Sequence, residues 1–152
     1  MKKILLFLCV SLLASTSFSQ KTKIKDNVAT VDGVAFLKWD LRHGSEISIS
    51  GINSTSEEIF AMYMDYSDPA KVTSANPEGK VRWIELNFVT LQKKCEIDTR
   101  TQGGLVKFIF ENNLYIDNVI NAENVEKLVY KYGMRFSEGR PKGTTVNVFI
   151  SE

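Results

Sequence analysis

The hydrophobic pattern of this chain changes period near residue 100, returning to alternation only in the last few residues, and that change limits the architecture more than any other feature. Before it, apolar residues recur at every second position, as a half-buried strand requires. After it they recur three and four residues apart, as on one face of a helix. A chain that lays down strands first and helices afterwards does not build alternating βαβ units. It falls in the α+β class, an antiparallel sheet with helices gathered on one face.

The strand signals are specific. Residues 45–50 alternate cleanly, Ile47 and Ile49 against Glu46, Ser48 and Ser50, until Gly51 stops them. Residues 81–91 form the strongest strand, with Ile84, Leu86 and Phe88 facing one way and Trp83, Glu85, Asn87 and Val89 the other. Asp32-Gly33 reads as a hairpin turn between residues 28–31 and 34–40. In the second of these strands Ala35, Leu37 and Trp39 alternate with Val34, Phe36 and Lys38, so both faces are partly apolar. Residues 93–99 extend the sheet, with Cys95 and Ile97 on one face. Residues 57–66 fit either period. As a strand, Phe60, Met62, Met64 and Tyr66 share a face; as a helix, Ile59, Met62, Tyr63 and Tyr66 form a stripe behind a capping box. Their β neighbours and the following Asp68-Pro69 turn favour the strand, and residues 67–79 read as a loop.

Two helices follow. Leu105, Val106, Ile109 and Phe110 line one over residues 102–113; Val125, Leu128, Val129 and Tyr132 line the other over 122–132. The second has Asn121 as N-cap, Glu123 in its first turn, Lys131 in its last and Gly133 just beyond. A polar loop at 137–143 leads to a final strand at 144–150, where Val146, Val148 and Ile150 alternate. The expectation is a mainly antiparallel sheet of about six or seven strands, a C-terminal helix pair packed on one face, and a last strand returning to the sheet.

The N-terminus supplies an address. Lys2 and Lys3 precede an apolar run from Ile4 to Ala14, and the stretch ending Ser17-Phe18-Ser19 offers small residues for cleavage before Gln20. This is the layout of a secretory signal peptide over residues 1–19, too short to remain as a membrane span. Cys9 lies inside the apolar run, away from the cleavage site where a lipidated cysteine would stand. Residues 20–152 then form one α+β domain, exported to the periplasm or the exterior. Cleavage removes two of 19 basic residues and none of 18 acidic ones, leaving a net charge of −1. Such a domain lacks the field that draws a protein to nucleic acid. With Cys95 alone remaining, no internal disulfide forms and the core must hold the fold by itself.

Named chemistries find little purchase. The single histidine, His43, sits in a loop-like Leu-Arg-His-Gly segment without zinc-ligand spacing around it, so no metal is expected. Asp65, Asp68 and Glu78 read as turn residues rather than calcium ligands. Cys95 shares its strand face with Ile97 and reads as a core thiol, and no nucleophile elbow or phosphate-binding glycine loop occurs. No catalytic set and no cofactor is indicated. What remains is aromatic: Trp39, Tyr63, Trp83 and Phe149 fall on strand faces opposite the apolar stripe, where a sheet with one face under helices leaves some of them half exposed beside Lys38, Arg82 and Glu85. Exposed aromatics next to arginine suit an interface, which makes Trp39, Tyr63, Arg82 and Trp83 the candidate binding residues. The competing expectation, favoured because such sheets are often covered on both sides, is a second small core under loops or the N-terminal hairpin. The sequence therefore points to a non-enzymatic binding domain of the bacterial cell envelope whose partner is a protein, peptide or glycan. The alternative is an envelope hydrolase with a carboxylate-based site.

Overall fold

A computed structural model describes residues 20–149; the expected signal peptide (residues 1–19) and Ile150, in the expected last strand, lie outside the described residues. Seven strands follow one another as an antiparallel meander: β1 (Thr22–Lys25), β2 (Val28–Val31), β3 (Val34–Arg42), β4 (Glu46–Gly51), β5 (Ile59–Ser67), β6 (Lys80–Phe88) and β7 (Lys93–Ile97). Their spatial order is their sequence order, the arrangement short turns impose. Three turns have two residues, Asp26-Asn27, Asp32-Gly33 and Asp117-Asn118, each with both residues at positive φ. Asp, Asn and Gly enter that region at the least cost, and the resulting twist matches that of the flanking strands. A bulge in β3 makes Phe36 the extra residue between the Ala29–Leu37 and Thr30–Ala35 pairs, and its ring meets Phe110 and Tyr115 edge-on.

The ambiguous stretch 57–66 is strand from Ile59 onward, and the buried side of β5 includes Ile59, Ala61 and Tyr63. Phe60, Met62 and Met64 do share a face, but it is the outer, half-buried one. Leu37, Ile47, Ile49, Ile84, Leu86, Phe88, Cys95 and Ile97 complete the inner face. Two helices cover it: α1 (Gln102–Glu111) buries Leu105, Val106 and Ile109, and α2 (Ala122–Tyr132) buries Val125 and Leu128. Helix α1 leans on β1 and β2, whereas α2 lies along β7, so the core is closed from both ends of the sheet. Asn121 caps α2 through Asn124 N–H (3.2 Å), and Thr101 caps α1 through Gly104 N–H (3.0 Å). Between the helices a small hairpin, β8 (Tyr115–Ile116) and β9 (Val119–Ile120), presses its turn against Gly51.

The C-terminal segment departs from expectation. The start of the predicted loop is helical, forming α3 (Arg135–Glu138). Among the described residues of the expected last strand, β10 (Asn147–Val148) is strand, paired with Asp65 and Met64 of β5, and residues 144–146 are not. It fits there because β4 pairs with β5 no further than Met62, while β6 accompanies β5 along its whole length. The β4 side of β5 beyond Met62 would otherwise leave polar backbone unpaired.

Candidate functional site: a cationic groove at the end of β6

The alternation of β6 places Lys80 and Arg82 on the same side as Ile84, Leu86 and Phe88. The latter three enter the core, while the two cations stand at the strand's open beginning. Arg100, in the segment joining β7 to α1, comes beside them, and the loop before β6 contributes Asn76 and Glu78. Together they line a groove of about 510 Å³.

Its walls are held before any ligand arrives. Asn76 Oδ1 accepts from Lys80 N–H (2.9 Å), and its Nδ2 donates to the carbonyls of Lys80 (3.1 Å) and Lys71 (3.3 Å). Gly79 occurs at the turn because its φ is +61° and a Cβ would overlap the Asp68 carbonyl. Lys80 Nζ lies 3.4 Å from both oxygens of Asp65, a nearly buried carboxylate that also accepts from Asn147 Nδ2 (3.2 Å). The guanidinium of Arg82 stacks over the Phe149 ring at 5.1 Å, and Phe149 packs edge-on against Tyr63 at 5.4 Å. Among the described residues neither Arg82 nor Arg100 has a carboxylate partner. The groove is therefore positive overall, with Glu78 as its one unshared acid.

Of the four residues singled out from sequence, only Arg82 is accessible. Trp39, Tyr63 and Trp83 are buried to 1 %, 0 % and 1 % exposure, so the half-exposed platform expected of them is not formed. Trp39 and Tyr63 lie on the inner face; Trp39 Nε1 donates to Gln102 Oε1 (3.0 Å) at the start of α1. Trp83 does lie on the outer face, but α3 stacks Phe136 on it (5.7 Å, 13° between planes) and Tyr66 packs at its edge. The competing expectation, a second small core, describes Trp83. Tyr63 and Arg82 meet through Phe149, whereas Trp39 and Trp83 belong to other parts of the fold. Lys80, Arg100 and Asn76 were not anticipated. Their only sequence signal is the i, i+2 spacing of Lys80 and Arg82, common to any solvated strand face.

The buried acids and the thiol have structural partners. Glu96 Oε2 accepts from the backbone N–H groups of Phe136 (2.6 Å) and Ser137 (3.0 Å). Cys95 is fully buried, and desolvation, with a smaller effect of the Glu96 charge, pushes its thiol up to about 12. His43 occupies the exposed β3–β4 turn at positive φ. Among the described residues no three His, Cys, Asp or Glu gather at metal-ligand distance. Comparison of the chain with protein-family models, with curated proteins and with solved structures returned no match.

Proposed function

We propose that this chain is a non-enzymatic binding domain, exported to the bacterial cell envelope, that seats an anionic group of its partner in the groove of Lys80, Arg82 and Arg100. One observation carries the reading: two guanidinium groups without acidic partners among the described residues converge on one groove whose third cation is already oriented by Asp65. A guanidinium fork matches phosphate, sulfate or carboxylate in bidentate geometry. The stacking of Arg82 on Phe149 and the hydrogen-bonded loop around Asn76 lower the ordering cost of binding. Because the domain as a whole is nearly neutral, the attraction is local to this groove. The partner is then an envelope protein, peptide or glycan that carries such a group.

The test is a titration of the ¹⁵N-labelled full chain with inorganic phosphate and, separately, with a pentaglutamate peptide. Amide shifts are expected at residues 76–82 and 98–101, with affinity falling as salt rises. Arg82→Ala and Arg100→Ala should each weaken binding about tenfold, the loss of roughly 1.4 kcal/mol of charge-assisted contact. Shifts scattered evenly over all surface lysines, unchanged in both variants, would sink the proposal.

A further inference from the structure

A second groove, of about 380 Å³, lies over β3 and β4 on the outer face of the sheet, the side opposite Lys80 and Arg82. Strand alternation builds its floor: Lys38 and Asp40 of β3 stand directly across from Ser50 and Ser48 of β4, with Arg42 next along the β3 row. The segment after β4 folds over as a wall and brings Glu57 to Arg42. Arg42 Nε donates to Asp40 Oδ2 (3.0 Å), and its Nη1 lies 3.4 Å from Glu57 Oε2. Lys38 Nζ donates to the Ser54 carbonyl (2.6 Å), which fixes the wall to the floor.

Three features decide what such a groove accommodates. Its four charged side chains, Lys38, Arg42, Asp40 and Glu57, sum to zero, so it offers no net attraction to an anion or a cation. Its remaining lining is mostly hydroxyl-bearing, with Ser48 and Ser50 below and Ser54, Thr55 and Ser56 beside them, so hydroxyls stand among the carbon stems of the same side chains. And Glu57 Oε2, shielded from solvent, makes no well-formed hydrogen bond, leaving acceptor capacity beside the bridging arginine.

We infer that this groove binds a neutral glycan. A sugar hydroxyl both donates and accepts, so adjacent hydroxyls need acceptors and donors side by side. Asp40, Arg42 and Glu57 form that acceptor–donor–acceptor row, already oriented by their mutual contacts. Phe60, half-buried on the same face and paired with Ser48, lies one strand beyond the floor and offers an aromatic surface at the groove's edge for the C–H face of a pyranose ring. None of these residues belongs to the cationic groove, so this inference and the anion-binding reading stand or fall separately.

The experiment titrates the ¹⁵N-labelled full chain with five neutral hexasaccharides: malto-, cello-, xylo-, manno- and chitohexaose. At least one is expected to shift the amides of Asn27, residues 38–42 and residues 48–57, while leaving residues 76–82 and 98–101 unmoved. Arg42→Met, which removes the central donor, should weaken that binding at least tenfold. Ser48→Val, which fills the floor without touching the charged row, should do the same and serves if the first variant is poorly folded. Inorganic phosphate should leave these amides in place. The inference is overturned if no hexasaccharide shifts this set, if both variants bind as the parent does, or if phosphate shifts these amides equally.

Discussion

Removing the carboxylate of Glu96 should detach the C-terminal segment from the sheet at a cost that can be stated in advance. Helix α3 begins after Met134, whose side chain has no oxygen with which to cap it. Its first N–H groups would be orphaned were it not for Glu96, some forty residues earlier on β7 and fully buried. That carboxylate accepts at 2.6 Å from Phe136 and at 3.0 Å from Ser137, and the Glu96 N–H in turn donates to the Gly133 carbonyl (2.8 Å). Hydrogen bonds to a charged group contribute about 1.5–3 kcal/mol each. Glu96→Ala forfeits two, so about 3–6 kcal/mol should be lost, a large share of the ~5–15 kcal/mol a domain possesses. Glu96→Gln keeps one oxygen that accepts both N–H groups but without charge, and should cost roughly half as much. Urea unfolding at neutral pH measures both values. In a Trp39→Phe background the fluorescence of Trp83 reports whether the Phe136 stack has opened. A Glu96→Ala variant within about 0.5 kcal/mol of the parent, the scatter of an inert surface change, would refute the reasoning. So would a Gln variant as costly as Ala.

Two further perturbations test the packing. A Cβ at Gly51 would overlap the Asn118 carbonyl, so Gly51→Ala should lower stability by about 1–3 kcal/mol in a thermal melt; Gly33→Ala, strained at φ +83° but in open space, should cost nearer 1 kcal/mol. Cys95 should resist thiol reagents until the chain unfolds. Its folded pKa of about 12 lies above the unfolded value near 9, so its contribution is complete below pH 9 and declines between pH 9 and 12. The decline is about 1.4 kcal/mol per pH unit, and the Cys95→Ala variant should show a slope shallower by that amount. Equal slopes for the two would remove the buried thiol from the account.

The fold was legible where local pattern and tertiary environment agree. The alternation of Ile47 with Ile49 and of Ile84, Leu86 and Phe88 identifies inner-face positions, and Asn121 marks the start of α2 where the structure has it. Legibility failed where a partner distant in sequence supplies what a local signal normally would. Helix α3 has no capping residue of its own, because its cap is Glu96. Strand β1 was missed because Asp26-Asn27 carries no glycine, although both residues take the positive φ that a glycine usually marks. Tyr63 looked like a surface aromatic because Phe60, Met62 and Met64 form the more apolar row of β5. The inner row instead uses small Ala61, which leaves depth for the Tyr63 ring to lie flush with the core.

The residues of the candidate groove were hidden for a related reason. A strand that passes from solvent into a core shows one continuous alternation, and nothing in it announces where burial stops. In β6 the same row reads Lys80, Arg82, Ile84, Leu86, Phe88: two cations at the open end, three core residues beyond. Taken alone, the pair is an ordinary strand entrance. It becomes a groove because Arg100 arrives from beyond β7 and because β10 brings Phe149 under Arg82 and Asn147 to Asp65. Strand β10 thus has two roles that share their residues. The Asp65 carboxylate that receives Asn147 also orients Lys80, and the Phe149 ring that packs on Tyr63 also supports Arg82. The short returning strand and the cationic groove are therefore one construction. Asn147 of β10 and Phe149 just beyond it thus join the end of the chain to Asp65 and Arg82 in one stroke.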